Sequence, residues 1–190
     1  MNKLLFNKNV FEKFPVIETE RLILRKIIHE DKDEVFAIYS SSEAMKYFGK
    51  NPFEKIGQAE EMIDKVINAF NYQEGIRWGI TLKPSDKLIG TGGFWRILKD
   101  HLRAEIGYDL NPAYWKKGIM YEAITAMIKF AFNEMNLHSI EANIDPANNA
   151  SEKLLEKTGF KKEGHITESF LFNGLFTDTG VYSLVNTYKT

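Results

Sequence analysis

The sequence predicts a mixed α/β domain in which helices pack on both faces of one sheet. Several segments alternate apolar and polar residues, which is typical of half-buried strands, and others carry apolar residues at helical spacing. No repeat and no Pro/Gly/Ser-rich linker divides the 190 residues, and this length suits one domain. We expect the order β-α-α-β-β-β-α-β-α-β-β over residues 18–190, after an N-terminal extension at residues 1–17.

The composition is that of an ordinary globular protein and excludes several classes of function. Net charge is −1, so there is no overall basic field to attract DNA or RNA, and there is no cysteine to act as nucleophile, form a disulfide or ligate a metal. The N-terminus lacks the apolar core of a signal peptide, and no apolar run approaches the roughly 18 residues of a membrane helix. We expect a cytoplasmic protein that binds neither membrane nor nucleic acid directly.

No metal site is expected either. The histidines are scattered and form no HxxxH-type spacing, so they do not resemble a ligand set. They are His29, His101, His138 and His165.

The first part of the chain predicts one strand followed by two helices. Residues 21–27 (RLILRKI) alternate as a half-buried strand, and residues 29–42 have apolar residues at helical spacing. Asn51 and Pro52 resemble an N-cap followed by a proline at the first helical position. A long amphipathic helix through residues 56–70 is predicted behind them.

The middle of the chain changes to the two-residue period of strands. Residues 77–83 and 87–98 are predicted strands joined by a turn at residues 84–86. Residues 101–112 alternate as another strand, with Gly107 inside it. A glycine within a strand often marks a bulge or a close backbone approach, so a bulge is expected there.

The last part of the chain returns to helices between strands. Residues 118–135 show the strongest helical periodicity of the chain, and residues 148–159 predict a second, shorter helix. Strands are predicted at residues 137–144, 160–166 and 179–188.

The entrance to the helix at residues 118–135 is the first candidate site. The first turn of a helix has unpaired N–H groups and a partial positive charge, which favour an anion. Gly118 allows a close backbone approach, and Lys116 and Lys117 add charge. The alternative is a loop whose lysines only face water. The patterns GxxxxGK[ST] and GxGxxG are both absent, so this is neither a Walker loop nor a Rossmann fingerprint.

A second polar cluster, DPANNAS at residues 145–151, lies at the next strand-to-helix turn. Ligands of α/β sheets favour the carboxyl ends of strands. We therefore expect both turns to face one crevice and to bind a phosphate-bearing ligand.

Four segments in order resemble the GNAT superfamily of acetyl-CoA-dependent N-acetyltransferases, and within it the branch of ribosomal-protein N-terminal (alanine/serine) acetyltransferases. They are ETERLILRKI (18–27), AEIGYDLNPAYWKKGIMYEA (104–123), DPANNASEKLLEKTGF (145–160) and NGLFTDTGVYSL (173–184). The resemblance extends from about Glu18 to Tyr188. It implies a mixed, mostly antiparallel sheet with a bulged and splayed central strand.

The loop departs from the family pattern at two positions. Lys116 stands where glycine is frequent, and Met120 stands where glycine or alanine is usual, while Gly118 is retained. Met120 narrows the room near the phosphates. The departures therefore concern how tightly the protein binds CoA more than which cofactor it binds.

The resemblance implies acetyl-CoA as donor, with the pyrophosphate held by backbone N–H groups of one loop. These belong to Trp115, Lys116, Lys117, Gly118, Ile119, Met120 and Tyr121. The backbone of Ile106 and Tyr108 would pair with the pantetheine amides, and the Tyr108 N–H would polarise the thioester carbonyl. Asn148 would hydrogen-bond the pantetheine, cap its helix, or do both.

The resemblance also implies direct attack of an amine on the thioester, without a covalent enzyme intermediate. A carboxylate must remove the proton of the ammonium, and Glu105 beside the expected bulge is the first candidate, with Glu168 as the fallback. The alternative for Glu105 is a solvated side chain paired with Arg103 or a lysine. Ser151 matches the proton donor proposed for the leaving thiolate in this branch, or else bonds locally in its helix.

Three functions compete at this level. The first is acetyl transfer to a primary amine such as a protein α-amino group, and the second is acetylation of a small amine. The third is a non-catalytic CoA sensor or interaction domain. A peptide acceptor needs an open groove, whereas a small amine needs a closed pocket lined by residues 40–75. The expected partners are acetyl-CoA and an amine acceptor, in a monomer or homodimer.

Overall fold

The computed structural model describes residues 5–187 of the chain as one eight-stranded sheet with helices on both faces. The strands are β1 (Ile17–Glu18), β2 (Leu22–Lys26), β3 (Ile76–Leu82), β4 (Leu88–Leu98), β5 (Arg103–Leu110), β6 (Ser139–Ile144), β7 (Lys161–Phe172) and β8 (Leu175–Val185). The helices are α1 (Lys32–Tyr39), α2 (Ser42–Met45), α3 (Ile56–Asn71), α4 (Ile119–Asn133) and α5 (Asn149–Lys157). The predicted order is confirmed, with the short β1 and α2 added.

The sheet order is β1-β2-β3-β4-β5-β6-β8-β7, and the one parallel pair among the described strands is β5 with β6. This confirms a mixed, mostly antiparallel sheet. The parallel pairing covers only three residues of β5 and ends where Glu105 faces Glu141. Beyond Glu105 the two strands part, so the splay implied for the central strand is present.

The predicted bulge at Gly107 is wrong in its position. β5 pairs with β4 without a shift from Leu110, opposite Gly90, to Glu105, opposite Trp95. The register shift follows on β4, between Trp95 and Leu98, where Arg96 has a φ of 48°. The extra residue therefore belongs to the neighbouring strand, and Gly107 lies in regular pairing.

Two apolar clusters hold the helices to opposite faces of the sheet. One face packs against α4 and includes Trp78, Phe94, Ile106, Ile124 and Met127. The other face packs against α1 and α3 and includes Ile27, Val35, Ile38, Ala59, Ile63 and Leu88. This second face also carries the side chains that alternate with Ile106 along β5, which matters for the site below.

Two helix boundaries differ from the prediction. α3 begins at Ile56 rather than after Asn51 and Pro52, because the Gln58 side chain accepts the N–H groups of Glu54 and Lys55 at 2.8 and 3.0 Å. Its own side chain therefore caps the helix.

The helix predicted over residues 29–42 is divided. α1 ends at Tyr39, and α2 starts after Ser41, whose hydroxyl accepts the Ala44 N–H at 3.3 Å. This is an ordinary N-cap contact, so Ser41 begins a new helix instead of continuing the old one.

The last two strands form a hairpin that is longer than predicted. Asn173 and Gly174 have φ values of 48° and 79° and connect β7 to β8 as a two-residue turn. An Asn-Gly pair with two positive φ angles suits the right-handed twist of a hairpin. The predicted strand end at Tyr188 lies outside the described residues.

Residues predicted as an N-terminal extension pack onto the core where they are described. The Phe14 and Phe70 rings are 4.9 Å apart, and Trp78 Nε1 donates to the Pro15 carbonyl at 2.8 Å. β1 then begins at Ile17, one residue before the predicted boundary.

Candidate active site

The candidate active site is the gap where β5 and β6 part beyond Glu105. β5 continues to Leu110 and leads through a short 3-10 turn into α4, while β6 leads into α5. β5 lies close to the first turn of α5, because the Tyr108 hydroxyl is 2.5 Å from Ser151 Oγ. The Lys157 ammonium at the end of α5 lies 4.4 Å from the Tyr121 ring centre in the first turn of α4. These contacts bring α5 beside β5 and α4, and the expectation that both turns face one ligand stays a prediction.

The entrance of α4 leaves backbone N–H groups available to a ligand. Lys116 and Gly118 have φ values of 60° and 73°, and Gly118 is the N-cap. The first bond of the helical ladder runs from the Glu122 N–H to the Gly118 carbonyl at 3.1 Å. The N–H groups from Lys116 to Tyr121 therefore lie outside the ladder, where an anion is favoured, whereas the Trp115 N–H donates to the Pro112 carbonyl at 3.1 Å.

The side chains of this loop play different parts. The Lys117 ammonium donates to the Ala113 carbonyl at 2.9 Å, and Trp115 Nε1 donates to the Leu110 carbonyl at 2.8 Å. Both side chains therefore brace the turn. Lys116 is exposed and has no ion pair among the described residues, so its charge is available to a ligand.

A polar cluster from the first strands fixes the start of α4. Arg21 donates from Nε to Glu122 Oε2 at 2.6 Å and from Nη1 to the Lys117 carbonyl at 3.1 Å. Thr19 Oγ1 donates to Glu122 Oε1 at 2.6 Å. Burial alone would raise the pKa of Glu122, but these hydrogen bonds and the Arg21 charge lower it overall. The anionic Glu122 therefore anchors the loop.

The Tyr108 and Ser151 side chains, with Asn148, line the crevice between β5 and α5. Burial raises the pKa of Tyr108 to about 12, although the hydrogen bond to Ser151 lowers it in part. Asn148 caps α5, because its Oδ1 accepts the Ser151 N–H at 3.1 Å. The capping alternative for Asn148 is thus confirmed.

Glu105 is buried, with 7% of its surface exposed, so it is not a solvated strand residue. The expected alternative partner, Arg103, instead donates to Glu141 Oε2 at 2.6 Å. Glu105 accepts from Arg96 Nη1 at 3.0 Å. Burial raises the pKa of Glu105, and Glu141 adds to this, while Asn143 and Arg96 act in the opposite direction. A carboxylate with a raised pKa in a cleft is typical of a catalytic base.

Glu168, the fallback base, is exposed on β7. It lies at the register shift of the hairpin with a φ of 49°, and its N–H donates to Asp178 Oδ1 at 2.9 Å. The structure therefore places it on the hairpin and not in the gap beside Glu105.

Sequence reasoning missed a buried polar network on the Glu105 face. Arg77 Nη2 pairs with Asp109 Oδ2, and Arg77 Nε donates to Thr91 Oγ1 at 2.9 Å. The Tyr39 hydroxyl of α1 donates to the same Asp109 oxygen at 2.7 Å. Burial raises the pKa of Tyr39 well above its ordinary range, so this hydroxyl keeps its proton. The alternation of Glu105 and Asp109 along β5 was the available signal.

The segment between α2 and α3 touches the hairpin near its tip. Asn173 Nδ2 donates to Asn51 Oδ1 at 3.0 Å. The Phe170 ring lies so close to Gly49 that a Cβ there would be 2.6 Å from a ring carbon. These contacts join the hairpin to a segment whose Phe48 and Phe53 rings pack against Tyr39.

Two further features of the described residues concern other classes of function. Within residues 5–187, no group of three or more His, Asp or Glu side chains is arranged to hold a metal ion. None of the described helices is both long and apolar enough to cross a membrane.

Comparison with known proteins gives one consistent result. A family model described as an acetyltransferase (GNAT) domain matches residues 21–161. The chain is 41% identical over 172 residues to an uncharacterized N-acetyltransferase of Bacillus subtilis, covering 90% of this chain and 97% of that protein. The crystal structure of a GNAT-family acetyltransferase from Bacillus anthracis matches with a TM-score of 0.82 at 29% identity, covering 90% and 98% of the two chains.

Relatives with named acceptors divide between proteins and polyamines. The chain is 28% identical to a ribosomal protein uS5 alanine N-acetyltransferase of Escherichia coli, covering 85% of this chain and 86% of that protein. It is 27% identical to a spermidine N(1)-acetyltransferase of Vibrio cholerae, covering 83% and 89%. A spermidine N-acetyltransferase of Vibrio cholerae in complex with CoA and spermine shares the fold, with a TM-score of 0.77 at 24% identity over 88% and 96% of the chains.

Proposed function

The chain belongs to the GNAT acetyltransferase family and uses acetyl-CoA, and we propose that it transfers the acetyl group to a primary amine in the gap between β5 and β6. The observation that carries this proposal is the parting of the two strands beyond Glu105, beside the open N-terminus of α4. A thioester held in this gap would lie between an anion site and a buried carboxylate.

The loop before α4 would hold the pyrophosphate of CoA through its backbone N–H groups. The donors are in the loop and in the first turn of α4, at Lys116, Lys117, Gly118, Ile119, Met120 and Tyr121. The Trp115 N–H, expected among them, donates to the Pro112 carbonyl at 3.1 Å instead. The fit of these donors to a pyrophosphate rests on the left-handed Lys116 and Gly118 and on N–H groups outside the helical ladder.

The free edge of β5 would bind the pantetheine arm. β6 pairs with β5 no further than Glu105, so the backbone of Ile106 and Tyr108 faces the gap on that side. The Tyr108 N–H would stabilise the negative charge that develops on the thioester oxygen. Asn148, whose oxygen caps α5, would contribute its amide nitrogen to the same arm.

Glu105 would act as the base. An ammonium acceptor must lose a proton before its nitrogen can form the new bond to the acetyl carbon, and Glu105 would receive that proton directly or through water. Its burial and raised pKa support this assignment, because they bring its basicity closer to the working pH.

Ser151 would supply a proton to the leaving thiolate as the carbon–sulfur bond breaks. Its hydroxyl is buried against the Tyr108 hydroxyl, so Tyr108 would in turn replace that proton. No covalent bond to the protein forms in this sequence.

The contact between the segment before α3 and the hairpin supports an acceptor that enters by one end. Asn51 with Asn173, and Gly49 with Phe170, join the segment between α2 and α3 to the hairpin. A bridged site is nearer to the closed pocket expected for a small amine than to the open groove expected for a peptide, and a peptide would enter it only by its free end. We propose an N-terminal α-amino group as the first acceptor class and a small amine as the second.

Steady-state kinetics with both substrates varied tests the direct transfer. We expect intersecting, sequential patterns, and an unchanged protein mass after incubation with acetyl-CoA alone. Parallel patterns together with an acetylated protein would contradict direct attack. The amines tested as acceptors should include N-terminal peptides of ribosomal proteins, amino acids and polyamines.

A further inference from the structure

Gly107 lies in the middle of the Glu105 face without a structural reason for being glycine. Its backbone is outside the left-handed region that favours glycine. A Cβ built there would make only ordinary contacts, at 3.6 Å from Arg77 Nη1 and 4.0 Å from Trp95 Nε1. Neither strain nor packing therefore excludes a side chain, and the space above Gly107 is free for a ligand.

Two hydrogen-bond donors border this space. Arg77 uses Nε and Nη2 in its bonds to Thr91, Tyr39 and Asp109, and Nη1 has no acceptor among the described residues. Across residues 5–187 every buried side-chain nitrogen or oxygen of a non-exposed residue has a partner, so Nη1 must be accessible.

Trp95 provides the second donor. Its Nε1 likewise has no acceptor within the described part of the chain, its surface is 51% exposed, and it lines an open cleft beside the end of α3. Both nitrogens thus lie within 4.0 Å of the position that a Gly107 Cβ would occupy.

The Arg77 donor is held rigidly and its charge is balanced. Three side chains fix the guanidinium, so little conformational freedom is lost when a ligand binds Nη1. The carboxylate of Asp109, only 7% exposed, compensates the Arg77 charge. An ammonium group bound near Glu105 is therefore not repelled by an isolated cation.

We propose that Arg77 Nη1 and Trp95 Nε1 bind a carbonyl or carboxylate oxygen of the acceptor, next to the amine that Glu105 deprotonates. The inference rests on the proposed function of this face. Glu105 and Gly107 are two positions apart on one side of β5, so one small ligand can reach both. The site then selects α-amino acids, their amides and peptide N-termini over alkylamines, which carry no oxygen for this pair.

Indole N–H signals test the proposal without turnover. The chain has three tryptophans, and Trp78 and Trp115 donate to the Pro15 and Leu110 carbonyls. In a ¹⁵N–¹H spectrum of the CoA-bound protein, L-alaninamide should shift the Trp95 indole signal downfield and leave the other two unchanged. Trp95→Phe assigns the signal. sec-Butylamine, which lacks the carboxamide, should cause no such shift.

Matched kinetics provide the second test. Trp95→Phe should lower kcat/KM for alaninamide about three- to tenfold, the loss of one hydrogen bond, with no change for sec-butylamine. Gly107→Ala should lower it about tenfold or more by filling the site. Gly164→Ala is the control, since nothing lies within 4 Å of a Cβ there, and it should leave kcat/KM unchanged.

The outcomes separate this inference from the proposed function. A Trp95 signal that does not move with alaninamide, or that moves equally with sec-butylamine, overturns the oxygen site even if the protein acetylates amines. A selective shift without thiol release from acetyl-CoA supports the oxygen site and rejects the proposed catalysis.

Discussion

The Tyr108 hydroxyl lies 2.5 Å from Ser151 Oγ, and this hydrogen bond joins β5 to α5 across the gap that opens after Glu105. The contact is buried on the Ser151 side. The two hydroxyl groups are therefore hydrogen-bonded to each other beside the proposed position of the thioester.

Removal of either hydroxyl should slow the same step, which is protonation of the leaving thiolate. Ser151→Ala and Tyr108→Phe should each lower kcat by up to about 10², the lower end for loss of a general acid, because a thiol is a good leaving group. The double variant should lose little more than the worse single variant, because the two hydroxyls act as a unit. Fully additive losses in kcat at saturating acetyl-CoA would show independent roles.

The raised pKa of Tyr108 predicts how kcat depends on alkaline pH. A proton donor works only while it is protonated, and burial raises the pKa of Tyr108 to about 12. The wild-type kcat should therefore stay level from neutral to mildly alkaline pH. Tyr108→Phe should not change the shape of the pH profile in that range. A decline in that range that disappears in Tyr108→Phe would contradict a protonated Tyr108.

Glu105→Gln should lower kcat by about 10²–10⁴ if Glu105 is the base. Only the carboxylate accepts a proton, so the activity of the wild-type protein should rise with pH through a value above 4.5, and this limb should be absent in the variant. Glu61→Gln, on the exposed side of α3, is the control.

Stability gives an independent readout for the same variant. Because burial raises the pKa of Glu105, its ionisation at neutral pH opposes folding. The Tm of Glu105→Gln near pH 7 should therefore be no lower than that of the wild-type protein, except for the part that the lost Arg96 contact accounts for. A loss of kcat of tenfold or less with an intact fold would show that Glu105 is not the base and would leave the proton to water.

Gly118→Asn should weaken CoA binding without unfolding the protein. Gly118 has a φ of 73°, which asparagine tolerates and a β-branched residue such as valine does not. The new side chain would occupy the entrance of α4, and we expect Kd for CoA to rise about tenfold, roughly 1.4 kcal/mol. Gly174→Asn, at a φ of 79° with nothing within 4 Å of a Cβ, is the matched control for calorimetry. An unchanged Kd would remove the pyrophosphate from this loop.

Phe170→Ala should change the use of the acceptor and not that of the donor. The ring lies against Gly49 and so joins the hairpin to the segment before α3. Its removal should raise KM for the amine several-fold while KM for acetyl-CoA stays the same. Leu175→Ala, at a residue 71% exposed beside the hairpin turn, is the control. Equal changes in both KM values would mean that the bridge does not border the acceptor.

Most of the fold could be predicted because it depends on periodicity that is local in the sequence. The repeat along α4 and the alternation along β5 identified both elements and their order. The bulge could not be placed, because register depends on the partner strand, and the shift belongs to β4 near Arg96. The length of the last hairpin follows from Asn173 and Gly174, because an Asn-Gly pair is a signal for a two-residue turn between strands.

The local geometry of the candidate site was predictable where one segment carries it and not where distant segments meet. Gly118 is the N-cap of α4 and Ser151 lies in the first turn of α5, and the pattern of each segment predicts both positions. The contacts of Arg21 with Glu122 and of Arg77 with Asp109 join residues far apart in sequence. Nothing in the sequence near Arg77 indicates that its guanidinium reaches β5.

The most direct test of the central claim is release of free CoA from acetyl-CoA in the presence and absence of an amine, with thermal unfolding measured in parallel. Acetyl-CoA at 100 times its Kd should add about 2.7 kcal/mol to the free energy of unfolding. Free CoA should then appear with an equal amount of N-acetylated amine, and Glu105→Gln should slow this release. Stabilisation by acetyl-CoA without amine-dependent release across the whole panel would contradict acetyl transfer and indicate a protein that only binds CoA.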